Sequence, residues 1–150
     1  MTHSTFTYVT YIRATPEKLW SALTTPDLIK DYWFGVQSVG EFTVSAPWSL
    51  TYPDGRTTDT GEIAEAEPSR RLVIRWRHQD QPELRAEGES RLTLELTPCG
   101  AAAVRLSLTH SVACAPSHFI ATVSVAWPMV LSNLKSLVET GAIVLEAPAR

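Results

Sequence analysis

Apolar and polar residues alternate one by one near the start of the chain, and do so again over a much longer stretch through its middle. Residues 5–13 alternate and are rich in Thr, Tyr and Val, which predicts a first strand. The same period of two returns from residue 36 to 111. It is punctuated by turn chemistry at Pro53-Asp54-Gly55, Glu67-Pro68-Ser69 and Pro98-Cys99-Gly100, and by a longer polar loop over 79–88. Strands are therefore expected near 36–45, 48–53, 57–66, 70–78, 89–97 and 102–111. Their short connections imply an antiparallel meander, because parallel neighbours need long crossovers. Leu72, Ile74, Trp76 and His78 share one face, as do Leu92, Leu94 and Leu96, and Val104, Leu106, Leu108 and His110. The opposite faces carry Arg71, Arg75, Arg77, Arg91, Thr93, Glu95, Arg105, Ser107 and Thr109. Such a sheet needs a cover on one side only.

The period changes in two places. Thr15-Pro16-Glu17 and Thr25-Pro26-Asp27 each combine a capping hydroxyl, a first-turn proline and an acid at the positive end of a helix. Two short helices in series follow, with Leu19, Trp20 and Leu23 as the buried stripe of the first and Gly35 closing the second. Near the C-terminus Trp127, Leu131, Leu134 and Val138 recur at helical spacing, widened by Met129, Val130 and Leu137. Pro128 reads as a first-turn proline and Gly141 as the stop. Ser132, Asn133, Lys135, Ser136 and Glu139 fill the side away from the stripe. Residues 117–126 read as a turn or a short helix ahead of it.

Composition refines the picture without changing it. At 150 residues and 44% hydrophobic, the chain reads as a single domain, 1–150, able to bury roughly 70% of its unfolded surface. A net charge of −3 argues against nucleic acid as the main partner. The arginines from Arg70 to Arg77 read as the solvated face of a strand. The longest apolar region, 119–131, is interrupted by Thr122, Ser124 and Pro128 and is too short to span a bilayer, so no membrane insertion is expected. The N-terminal Met1-Thr2-His3-Ser4 shows no signal peptide, so the expected location is cytoplasmic, with Cys99 and Cys114 as free and mostly buried thiols. No residue cluster has metal-ligand spacing, and no phosphate loop, nucleophile elbow or C-x-x-C is present, so neither a metal nor a cofactor is expected.

Several local strings together resemble a known family. They are Ile12-Arg13-Ala14-Thr15-Pro16-Glu17-Lys18-Leu19-Trp20 with Leu23-Thr24, then Tyr32-Trp33-Phe34, Gly61-Glu62-Ile63, Glu67-Pro68 leading to Arg71-Leu72 and Trp76, and Trp127-Pro128 leading to Leu131, Leu134-Lys135 and Leu137. Their order over nearly the whole chain resembles the START-like or SRPBCC superfamily, and within it the family named for homology to the activator of the Hsp90 ATPase. The resemblance implies an α+β helix-grip fold: a seven-stranded curved antiparallel sheet around a long C-terminal helix, with two short helices between the first two strands. Residues 113–126 look longer and more apolar than the resemblance leads one to expect. The eukaryotic Hsp90 activators also carry a separate N-terminal domain, whereas this domain is read as standing alone.

Side-chain parity places candidate chemistry. If 70–111 forms three consecutive antiparallel strands, His78 and His110 end the first and third at one edge, about 10 Å apart, with Ser90 between them. Tyr52 ends an earlier strand running the same way. The expected site is a polar mouth of Tyr52, His78, Ser90 and His110 above an apolar interior of Tyr8, Trp33, Trp48, Leu50, Ile74, Trp76, Leu94, Leu106 and Leu131. Trp20 and Trp127 are expected to pack helices rather than touch a ligand. The expected function is binding or carriage of a small hydrophobic molecule. One alternative is a cyclase- or hydrolase-like enzyme with His78 or His110 as general base and Tyr52 orienting a carbonyl. The other, carried by the resemblance, is a co-chaperone module whose partner is an Hsp90-type ATPase.

Overall fold

The computed structural model describes residues 2–146. The alternating N-terminal stretch forms β1 (Ser4–Ile12), and the two Thr-Pro signals start α1 (Pro16–Thr24) and α2 (Pro26–Tyr32). Thr15 caps α1 by accepting from Lys18 N at 3.1 Å. Then come β2 (Gln37–Val39), β3 (Pro47–Thr51), β4 (Thr57–Glu67), β5 (Arg71–His78), a single helical turn α3 (Pro82–Arg85) inside the polar loop, β6 (Glu89–Cys99), β7 (Ala103–Val112) and α4 (His118–Thr140). The seven strands form one antiparallel sheet in the order β1-β7-β6-β5-β4-β3-β2. The meander holds from β2 to β7, and β1 joins the far edge of β7.

Four local expectations change. The strand expected over 36–45 ends at Val39, where Gly40 takes φ 111° and Ser45 takes φ 71°, values that extended pairing does not allow. Pro128 lies inside α4 rather than at its start, so the undecided residues 117–126 belong to one long helix. Its N-terminus is set ten residues earlier, where Ser117 Oγ accepts from Ile120 N at 3.0 Å and Glu87 Oε2 accepts from His118 N at 2.8 Å. Asn133, expected on the outer side, is fully buried: its Oδ1 accepts from Val144 N and Leu145 N, and its Nδ2 donates to Leu145 O. Those bonds tie the segment after Gly141 back onto the helix. Cys99 and Cys114 are free thiols of intermediate exposure rather than buried ones.

Three of the outer arginines, Arg71, Arg75 and Arg91, are paired with glutamates. Glu65 on β4 bridges Arg71 and Arg91, while Arg71 also reaches Glu95 at 2.8 Å. On the concave face Ile63, Leu72, Ile74, Leu92, Leu94 and Leu106 pack toward α4 residues Trp127, Leu131 and Leu134 in one continuous core. A buried polar chain fastens helix to sheet. Trp127 Nε1–H donates to His110 Nδ1 at 3.1 Å, Ser90 Oγ lies 2.9 Å from His110 Nε2, and Ser90 Oγ donates to the Trp76 carbonyl at 3.2 Å. An indole N–H can only donate, so the neutral imidazole carries its proton on Nε2 and passes it toward Ser90.

Two predictions follow from this packing. Gly61 lies opposite both Trp76 and Trp48, and a Cβ there would stand 1.8 Å from the Arg75 carbonyl oxygen. Backbone cannot yield as a side-chain tip can, so Gly61→Ala should cost about 3 kcal/mol, read as a lowered thermal unfolding midpoint. His110 is held neutral by burial, which lowers its pKa from 6.5 to about 3 against a smaller opposing pull from Asp59. The unfolded chain takes up this proton below 6.5 and the folded one does not, so stability is intact above 6.5 and falls as pH drops toward 3. Two pH units below 6.5 the loss is about 3 kcal/mol. Urea unfolding should show that loss in the wild type and a much smaller one in His110→Gln.

Candidate functional site

The ends of β3, β4 and β5 stop short of the first half of α4, and the gap between them is a cleft of about 140 Å³. Strand register assembles its floor: Leu50 on β3 pairs with Asp59 on β4, and Asp59 pairs with His78 on β5. Tyr52 flanks the floor just beyond β3, and Gln81 and Leu84 close it from the α3 turn. Phe119, Val123, Ala126 and Trp127 descend from α4 as the opposite wall. The Phe119 ring stands 6.2 Å from that of His78.

Asp59 is the electrostatic centre of this floor. It is only 4% exposed, and its Oδ2 accepts from Trp76 Nε1 at 2.7 Å while lying 3.1 Å from His78 Nδ1. Its Oδ1 accepts from the neighbouring Thr58 hydroxyl. A carboxylate that already receives an indole N–H at Oδ2 receives the imidazole proton there too, so His78 is protonated on Nδ1. The lone pair then lies on Nε2, which is buried and has no hydrogen-bond partner among the described residues. The His78 side chain keeps 13% of its surface exposed. This ring is an oriented acceptor beside an aromatic wall. Among the described residues lining the cleft there is no lysine or arginine.

Below the cleft the hollow between sheet and helix is nearly filled. Trp76 packs against Trp48 in a tilted pair at 4.6 Å, meets Trp127 edge-on at 5.9 Å and lies 6.2 Å from Trp33, which in turn stands 5.1 Å from Trp127. What remains is a cavity of about 30 Å³, room for a water or two. It is bordered by Trp48, Leu50, Ile74, Leu94 and Leu131, and separated from the cleft by Trp33, Trp76 and Trp127, which line both.

The expected site residues thus divide. Trp33, Leu50, Tyr52, Trp76 and His78 line the cleft. Trp48, Ile74, Leu94 and Leu131 line the small cavity beneath. Leu106 is wholly in the core, and Tyr8 is a partly buried residue stacked on Phe6 at 6.3 Å. Ser90 and His110 sit on the expected face but not at the mouth. His110 pairs with Leu92, and Leu92 with Ile74, so it stands level with a position four residues, about 13 Å, before His78. With both ring nitrogens engaged inside the core, His110 has no lone pair to offer a substrate.

Asp59, Gln81, Phe119, Val123 and Ala126 join the site without having been expected there, and Trp127 lines it rather than only packing helices. Asp59 carried a readable flag: it shares strand parity with Ile63, so an acid stood on the apolar face. The α4 residues carried none while 117–126 had no settled structure. Among the described residues no group of three or more His, Cys, Asp or Glu is placed to hold a metal ion, and no helix is long and apolar enough to cross a membrane.

No curated protein sequence matches the chain. Among solved structures, CalU16 from Micromonospora echinospora superposes with a TM-score of 0.73 at 24% identity, over 91% of this chain and 77% of that one. The Aha1 dimer from Colwellia psychrerythraea gives 0.74 at 23% identity, over 92% of this chain and 98% of that one. An HSP90 activator from Plasmodium falciparum gives 0.74 at 20% identity, over 89% and 95%. At these identities the likeness establishes the helix-grip fold. The family of "Activator of Hsp90 ATPase homolog 1-like protein" matches residues 13–139 at the level of sequence, and the chain belongs to that family.

Proposed function

We propose that this protein binds a small, largely apolar molecule in the cleft between the β3–β5 rim and the first half of α4. One observation carries the reading: a cleft of about 140 Å³, walled by Trp33, Trp76, Phe119 and Trp127, is also lined by His78, whose Nε2 is buried and has no hydrogen-bond partner among the described residues. Apolar walls with one or two placed polar groups suit ligands that are mostly hydrocarbon and carry a single polar function. The volume limits the guest to roughly one aromatic ring, since a cavity of about 150 Å³ accepts benzene. Larger guests would have to displace Trp33 or lift the start of α4. Catalysis by His78 as general base would use the same lone pair, but binding alone accounts for the arrangement.

The filled interior supports a second reading, in which the fold acts through its surface on an Hsp90-type ATPase. A hollow reduced to about 30 Å³ does not serve a large cargo, and the family carries the name of such activators. Stimulation of a purified Hsp90-type ATPase by this chain would support that reading, and unchanged turnover would remove it.

The binding reading is tested by titrating single-ring aromatic compounds and following tryptophan fluorescence, with native mass spectrometry to count bound molecules. Trp33, Trp76 and Trp127 border the cleft, so occupancy should change emission. Ala126→Leu places added carbons inside the cleft from the α4 side and should weaken binding at least tenfold, with the unfolding midpoint nearly unchanged. Absence of any bound or stabilising compound, or full binding by Ala126→Leu, would overturn the reading.

A further inference from the structure

We infer that the cleft selects phenols: a flat aromatic ring whose hydroxyl donates to His78 Nε2. The inference rests on the binding reading above and adds to it the chemical class of the ligand.

Hydrogen-bond direction is the first argument. Asp59 Oδ2 lies 3.1 Å from His78 Nδ1 and accepts the Trp76 indole proton at 2.7 Å, which keeps Asp59 in the acceptor role and holds the imidazole proton on Nδ1. Nε2 is left as a pure acceptor, buried and without a partner among the described residues. Leaving a buried acceptor unpaired is unfavourable, a penalty that a ligand donor removes and a ligand acceptor does not. The complementary group is therefore an O–H or N–H.

Charge is the second. Among the described residues lining the cleft, Asp59 is the one carboxylate, and there is no lysine or arginine. A carboxylate or phosphate ligand would face a lone pair and a like charge with no cation to offset either. An ammonium would be attracted by Asp59 but must leave water with three donors to satisfy, and Asp59 already accepts from Thr58, Trp76 and His78. A hydroxyl has a single proton to give, and its oxygen can in turn accept from a side chain such as Gln81 at the same mouth.

Shape is the third. The His78 ring stands 6.2 Å from the Phe119 ring in a cleft also lined by Trp33, Trp76 and Trp127, so flat and apolar atoms next to the donor suit these walls. A ring bearing its hydroxyl directly meets this with the fewest atoms, within a volume fit for one ring.

The test compares phenol, toluene, benzoate and benzylamine, which are similar in size and differ in the polar group, each titrated against the full chain near neutral pH. Affinity is followed by tryptophan fluorescence, and the His78 ring nitrogens by ¹⁵N-detected imidazole NMR. Phenol should bind at least tenfold more tightly than toluene and move the His78 Nε2 resonance while leaving Nδ1 in its protonated range. His78→Leu removes the acceptor but keeps an apolar floor, so it should abolish the preference for phenol and leave toluene affinity within about twofold. If that variant fails to fold, the four-ligand series and the Nε2 shift in the wild type decide by themselves. Toluene binding as tightly as phenol, or benzoate or benzylamine binding more tightly, would overturn the assignment while the binding reading stands. Failure of all four to bind would bring both down.

Discussion

The indole of Trp76 is held from every side, and the rest of the molecule is arranged around that constraint. Its ring lies against Trp48, His110, Trp33, Trp127 and Phe119, with centroids between 4.6 and 6.3 Å. Its N–H is taken by Asp59 and its carbonyl by Ser90. Each aromatic pair adds only about 0.5–1.5 kcal/mol beyond area burial, but the contacts share one ring, so none can shift without disturbing the others. Through this residue the end of α2 at Trp33, α4 and strands β3 to β7 are fixed relative to one another. Gly61 makes the arrangement possible, because the residue paired with both Trp48 and Trp76 has no side chain of its own.

The same constraint sorts the polar groups by role. On one side of Trp76, His110 is locked between Trp127 and Ser90 with both nitrogens engaged, deep in the core and held neutral by burial. On the other, His78 lines the cleft, gives one nitrogen to Asp59 and leaves the other buried without a hydrogen-bond partner among the described residues. Two histidines on the same face of the same sheet thus hold opposite positions. One completes a buried network, which contributes to the specificity of the packing. The other remains an oriented and unsatisfied acceptor, the condition in which a buried polar group has something to gain from a ligand.

Much of the scaffold was legible in the residues. The two Thr-Pro signals, the period-two faces and the Trp127–Val138 stripe carry local physics, and each led to an element close to where it is found. Failures came where a distant partner overrides a local preference. Pro128 suits a first helical turn, yet α4 begins at His118 because Ser117 and Glu87 satisfy its free amides, and Glu87 stands in a loop some thirty residues away. Asn133 reads as a surface residue until the backbone of Val144 and Leu145 folds back to use its amide. Strand parity put Tyr52, His78, Ser90 and His110 on one face but could not give the stagger between strands, which lowers Ser90 and His110 into the core.

The sequence by itself determined which strand faces turn inward, that the chain makes seven strands, and that a long C-terminal helix must cover the sheet. These follow from periods of two and 3.6, and period is a property of the chain alone. Only the tertiary structure decided that the hollow under the helix is filled by tryptophans, that Asp59 stands opposite His78, and which histidine keeps a free nitrogen. Those outcomes depend on strand register and on the closeness of side chains far apart in sequence, and neither is encoded in any local pattern.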